Sequence, residues 1–188
     1  MAATSDGAVL VVEGASDRVA VETLARRLGR DLAREGVEVV ELGGATNIGS
    51  FLVDLLQHRR GLRLAGLYDA PEERFFTRGL ERAGLGPVPD RGRLEQLGFF
   101  ACEQDLEDEL IHVVGERRML EVIDEQGELA SFRVLQRQPV QRTWTQHQQL
   151  RRFLSARSGH KATYARALVE AMDLDAAPAP LRQVLSRV

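Results

Sequence analysis

The segment AVLVVEGASDR, residues 8–18, constrains the fold more than any other part of the chain. Its apolar residues run without alternation, so both faces of the extended chain must be covered by other elements. The run closes on Glu13 and Gly14, and a helical pattern begins at Asp17 and continues to about Leu28. A strand buried on both faces that turns through glycine into a helix is the opening unit of a parallel α/β sheet. Sheets of this kind hold ligands in crevices beyond the carboxyl ends of their strands. Glu13 and Asp17 stand at such an end.

The unit recurs. Val19, Leu24 and Leu28 lie on neighbouring faces of the first helix, and Ala20 and Val21 broaden the stripe. VEVVEL (37–42) reads as a second strand and GGATN as the loop after it, with Thr46 or Asn47 placed to cap the next helix. Ile48, Phe51, Leu52, Leu55 and Leu56 form the apolar stripe of that helix. RLAGLY (63–68) is a third strand ending at Asp69; Pro71, early acids and a glycine stop then delimit a helix. LGFFACE (97–103) is a fourth strand, and 105–115 the helix that follows it. Beyond Ser131 the alternation fades into candidate helices at 145–156, 161–172 and 179–187. The expected fold is α/β, a mainly parallel four-stranded sheet flanked by helices, with a helical C-terminal part. The expected division is a disordered tail at 1–7, an α/β domain at 8–130 and a basic helical part at 131–188.

A chain of 188 residues suits one domain with a modest appendage and can bury its own core. Cys102 is the single cysteine, which excludes an internal disulfide framework and a cysteine-based zinc site. MAATSDG shows no secretory pattern, and no apolar run approaches the ~20 residues of a membrane span. A cytoplasmic protein is expected. The net charge of −3 hides a division: residues 1–129 hold 15 Arg against 25 acids, and residues 130–188 hold nine Arg and one Lys against three. An acidic site beside a basic docking surface fits that asymmetry, as do arginines solvated on helix surfaces.

Three expected strand ends carry acids: Glu13 and Asp17, then Asp69 with Glu72 and Glu73, then Asp105 with Glu107 and Asp108. Carboxylates gathered on one sheet edge repel unless cations lie between them. Oxygen donors suit hard divalent ions, Mg²⁺ or Mn²⁺. Taken singly, each acid is explained by the preference of helix N-termini for negative charge; taken together, the three groups are not. Other chemistries lack their residues. EGASD is no nucleophile elbow, no dinucleotide or Walker loop follows the first strand, and His58, His112, His147 and His160 lack paired metal spacing. Cys102 is expected to pack as a small hydrophobe.

VVEGASDR, GLYDAPEE and CEQDLEDEL, in that order on βα units, resemble the TOPRIM domain of topoisomerases, primases and overcoming lysogenization defect (OLD) nucleases, the OLD branch most closely. SGHKATYARAL (158–168) is similar to the stretch that carries the lysine of that branch. The resemblance implies Glu13 as acid/base or metal ligand, and Asp17, Asp69 and Glu107 as metal ligands. It implies Lys161 as the catalytic lysine that stabilises charge on the phosphate. Pro71 departs from the pattern, standing where a second aspartate is expected; Glu72 or Glu73 could supply the missing donor, and Asp105 is a further candidate metal ligand. Lys161 is also the only lysine beside 24 arginines, a hint that a compact ammonium is needed there. Ser158, Gly159 and His160 are expected to face phosphate in the loop before its helix.

The implied activity is a Mg²⁺- or Mn²⁺-dependent endonuclease acting on DNA, or on RNA. Arg133, Arg137, Arg142, Arg151, Arg152 and Arg157 are candidates for docking the nucleic-acid backbone. Further implied partners are a separate ATPase subunit and a second copy of the chain. Two other readings stay open: a degenerate TOPRIM module that binds nucleic acid or an ATPase without turnover, and a small-molecule phosphate binder.

Overall fold

A computed structural model describes residues 7–59, 61–156 and 159–188. Strands β1 (Ala8–Val12), β2 (Val37–Glu41), β3 (Arg63–Asp69) and β4 (Phe99–Cys102) form one sheet in the order β2-β1-β3-β4. Every pairing is parallel, with Leu10 beside Val39 and Ala65, and Asp69 beside Cys102. The chain moves one way from β1 to β2 and then crosses to β3, so the winding reverses between β1 and β3. Their carboxyl ends open the crevice where such sheets bind ligands.

Five helices accompany the sheet through β4 and its exit: α1 (Ala15–Arg27), α2 (Ile48–His58), α3 (Glu73–Arg82), α4 (Arg91–Gln96) and α5 (Leu106–Val114). Then come α6 (Glu116–Glu125), α7 (Leu129–Arg137), α8 (Gln146–Leu154), α9 (His160–Ala171) and α10 (Ala179–Arg187). Residues 8–12 are wholly buried, as their unbroken apolarity requires, and their side chains divide between two cores. Leu10 and Val12 join Leu67 and Cys102 beneath α1, α5, α9 and α10. Val9 and Val11 join Tyr68, Phe76 and Phe99 beneath α2 and α3. Close approach fixes glycine at two places in that second layer. A Cβ on Gly66 would lie 2.4 Å from the Phe99 ring, and one on Gly79 2.9 Å from Ile48.

The C-terminal helices belong to the first core. Leu168, Val169, Leu181 and Val184 are buried among the residues that cover the sheet. Arg27 ties α1 to the end of α9, its guanidinium donating to the carbonyls of Val169 (2.7 Å) and Met172 (2.8 Å). The expected division after residue 130 falls inside α7. Residues 1–6 of the expected tail lie outside the described residues, whereas Gly7 already accepts the Arg63 N–H at 3.3 Å.

Several local expectations are corrected. Leu28 lies 48% exposed at the end of α1, past the packed stripe. Asn47 precedes α2 without capping it; its side chain donates instead to the Leu42 carbonyl at 2.9 Å, closing the GGATN loop. The fourth strand is shorter than 97–103, because Gly98 turns through φ +93° immediately before Phe99. Helices α4, α6 and α7 were not anticipated. Each of the latter two buries a narrow stripe, Met119, Val122 and Ile123 on α6 and Phe132 and Leu135 on α7.

Candidate functional site

The acids of the first and third strand ends meet at the reversal point. Glu13 Oε1 accepts the backbone N–H of Asp69 at 2.8 Å, so the two strand ends are tied through one predicted ligand. Asp17 sits in the first turn of α1 and accepts the Gly14 N–H at 2.9 Å, which closes the glycine turn. Its capping role and its place beside the other acids coincide.

The third group divides. Asp105 caps α5, accepting the Asp108 N–H at 2.8 Å, and is ion-paired with Arg151. Glu107 points back to the sheet edge and is 93% buried. Its Oε2 meets Lys161 Nζ at 3.1 Å, while its Oε1 is buried without a hydrogen bond. Lys161 thus arrives from the first turn of α9, more than 50 residues along the chain from Glu107. The packing of α9 on α1 and α5 brings it there.

Charge at this edge is incompletely matched. Burial pushes the Glu13 carboxyl up to about 8; the Asp69 N–H opposes this, and the neighbouring Asp69 and Glu72 carboxyls add to it. Burial raises Asp69 to about 7, reinforced by Asp17, Asp105, Glu107 and Glu72. Asp17 rises to about 6, again chiefly by burial, with the Gly14 N–H and Lys161 pulling the other way. For Lys161, burial favours the neutral amine, but the Glu107 carboxylate, with Asp105 and Asp17 behind it, outweighs that and raises its pKa.

The two acids after Pro71 have different surroundings. Glu72 lies near enough to Glu13 for its carboxyl to help raise the Glu13 pKa. Glu73 turns away, holding Arg91 Nε at 2.8 Å and accepting the Tyr68 hydroxyl at 3.3 Å. Of the two candidate replacements, only Glu72 lies against the acids of β1 and β3.

The docking arginines separate as well. Arg151 and Arg152 line a cleft of about 560 Å³ that continues from Glu107 and Lys161 between α5, α8 and the start of α9. Arg133 and Arg137 stand on α7 and Arg142 in the 3-10 turn Gln141–Thr143, none of them lining that cleft. Arg157 and Ser158 lie outside the described residues. Gly159 begins α9 in a left-handed conformation, φ +79°. His160 does not face phosphate: its Nε2 lies 3.1 Å from Glu128 and its ring packs against Phe153 and Tyr164. His112 is exposed and Cys102 buried.

Trp144 and His147, neither of them a candidate from the sequence, both line the cleft, with His147 Nε2 2.6 Å from Asp108 Oδ1. The only signal for them was their place among the basic residues of a segment nearly free of acids.

The donors fit a hard divalent cation in kind: all are oxygens, Glu107 Oε1 lacks a hydrogen bond, and no ion pair among the described residues reaches Glu13 or Asp69. In position they are not closed around one, since no three His, Cys, Asp or Glu side chains among the described residues form a metal-holding group. Lys161 and Arg151 occupy Glu107 and Asp105 instead.

Parallel strands, a winding reversal between β1 and β3, and acids at that point define a Rossmann-like α/β protein of the TOPRIM type. Residues 5–69 match the family model "Overcoming lysogenization defect protein-like, TOPRIM domain", a span that includes Glu13, Asp17 and Asp69. Over that span, about a third of its length, the chain is similar to OLD-like TOPRIM domains. Two structures of the C-terminal region of the Xanthomonas campestris pv. campestris OLD protein extend the likeness over nearly the whole chain. The mercury-phased one has a TM-score of 0.73 and 25% identity, covering 99% of this chain and 95% of that one. The platinum-phased one has a TM-score of 0.73 and 26% identity, covering 98% and 92%. The C-terminal region of the Burkholderia pseudomallei OLD protein shares the fold, with a TM-score of 0.67 and 21% identity over 98% of this chain and 97% of that one. No curated protein matched the sequence. Among the described residues no helix is long and apolar enough to cross a membrane.

Proposed function

We propose that this protein is a metal-dependent nuclease that hydrolyses phosphodiester bonds, DNA being the first substrate to test and RNA the second. The observation that carries the reading is the meeting of Glu13, Asp17, Asp69 and Glu107 from three separate strand ends, with Lys161 of α9 on Glu107. Such a cluster is an unfavourable arrangement for a fold alone, because burial and mutual repulsion raise the pKa values of Glu13, Asp17 and Asp69 instead of adding stability.

Glu13, Asp17, Asp69 and Glu107 would hold Mg²⁺ or Mn²⁺, with Glu72 in place of the aspartate displaced by Pro71. A divalent cation so held supplies charge on a phosphoryl oxygen and a more acidic water. Glu13 is the candidate acid/base that would take a proton from the attacking water. Lys161 is half exposed toward the cleft, so its ammonium can leave Glu107 for the phosphate and oppose the charge that develops there. Arg151 and Arg152 would bind the flanking backbone.

A second reading, a TOPRIM module that binds nucleic acid without turnover, draws on Pro71 and on the lack of a closed three-donor group. Cleavage of plasmid and of RNA with Mg²⁺, Mn²⁺ and Ca²⁺ separates the two. Mg²⁺- or Mn²⁺-dependent products that vanish in Asp69→Asn support the nuclease; salt-sensitive binding with no product in any metal supports the module. A separate ATPase and a second copy of this chain are the partners to test with either.

A further inference from the structure

The cleft beside the acids has features that a backbone-docking surface does not need. Its volume, about 560 Å³, falls within the range of small-ligand pockets. One wall is Trp144, half-buried at the end of the 3-10 turn Gln141–Thr143. The backbone that presents the indole is held on both sides. Trp144 N–H donates to the Gln141 carbonyl at 3.1 Å, and Thr145 caps α8, accepting the Gln148 N–H at 3.2 Å. A ring carried on so fixed a segment loses little freedom when a partner stacks on it.

The remaining lining suits a nucleotide. Asp105 and Asp108 would repel a phosphate, but Arg151 pairs with both and His147 with Asp108. Arg152 and Lys161 add positive charge to the lining, Lys161 beside Glu107. A base stacked inside a duplex cannot offer its face to a side wall, whereas an unpaired base can.

We infer that this cleft receives the unpaired base of a nucleotide adjoining the phosphate at the acidic site, stacked on Trp144, so that the protein engages single-stranded nucleic acid in preference to continuous duplex. The word "adjoining" rests on the proposed nuclease reading; the stacking does not.

Trp144 is the only tryptophan in the chain, so its fluorescence reports on the cleft without a label. The protein is titrated in Ca²⁺ with a short oligodeoxythymidine, an oligouridine of equal length, an abasic strand, and a duplex closed by hairpins at both ends. Quenching by the thymidine or the uridine strand, but not by the abasic strand or the closed duplex, is expected. By anisotropy, Trp144→Ala should weaken single-strand binding about 5- to 150-fold, the value of one lost base stack. Binding of the closed duplex should stay unchanged, and Trp144→Phe should recover most of the loss. Equal quenching by the closed duplex or the abasic strand overturns the inference. So does a folded Trp144→Ala variant that binds single strands as tightly as wild type. Quenching intact with no cleavage in any metal refutes the nuclease reading and leaves the base subsite standing. Cleavage intact without quenching does the reverse.

Discussion

Replacing Glu13 by Gln should make the metal-free protein more stable at pH 8 and leave it little changed at pH 5. Glu13 lies at about 8 in the folded protein against an ordinary value of 4.5, because burial and the Asp69 and Glu72 carboxyls disfavour its charge. Its folded pKa is the higher one, so its contribution to stability is complete below about pH 4.5 and is lost progressively as pH rises toward 8. At ~1.4 kcal/mol per pH unit, that window corresponds to an upper bound of ~4–5 kcal/mol. Water reaching the carboxyl screens its charge, and Asp69 keeps its proton longer when Glu13 is ionised, so about 2 kcal/mol is the expected difference. For a chain of this size that is ~4–8 °C in melting temperature. Glutamine does not titrate, and its carbonyl can still accept the Asp69 N–H, so the variant isolates the charge. Melting curves by circular dichroism between pH 5 and pH 8, with EDTA and then with Mg²⁺, provide the assay. The gap should open as pH rises, and Mg²⁺ should narrow it by stabilising wild type more than the variant. A Glu13→Gln protein that melts at or below wild type at pH 8, or a gap that is the same at both pH values, would refute the charge argument.

The remaining predictions concern the other groups. Glu72→Gln should lower Mg²⁺-dependent cleavage at least tenfold, while Glu73→Gln, which loses only the Arg91 and Tyr68 contacts, should keep most of it; steady-state rates on plasmid decide which acid replaces the aspartate. Lys161→Ala should reduce the cleavage rate by roughly 100-fold or more, in the range of a lost charge-stabilising donor, and binding by much less. Lys161→Arg should restore little, and equal losses of binding and rate would make Lys161 a docking charge. Replacing Arg151 and Arg152 together by Ala should flatten the salt dependence of duplex binding by up to ~1.8 in the log–log slope, measured by anisotropy across a salt series. Gly66→Ala should lower stability by ~1–3 kcal/mol through overpacking against Phe99, read as a fall in melting temperature with the acids untouched.

Much of the fold was legible because local chemistry dictates it. The unbroken apolarity of residues 8–12 requires cover on both faces, and only a parallel sheet with crossover helices provides it. Acids at strand ends were readable for the same reason, since each follows its strand directly in the chain. Helices α6 and α7 were not, because their buried faces are narrow stripes that acquire meaning only against α5, α8 and α9.

The sequence by itself determined which residues end the strands, that oxygen donors dominate the acidic group, and that Lys161 is without a second lysine. Tertiary structure alone decided how they meet. The strand order puts Glu13 beside Asp69, and the rotation of successive side chains around the turn after Pro71 sends Glu72 to that pair and Glu73 to Arg91. The docking of α9 on α1 and α5 sets Lys161 on Glu107 and turns its neighbour His160 inward to Glu128. Periodicity along a chain records which face of an element is apolar; it holds no information on which distant element covers that face. Contacts made across such long intervals of sequence, including the cleft walled by Trp144, exist only once the two cores have packed.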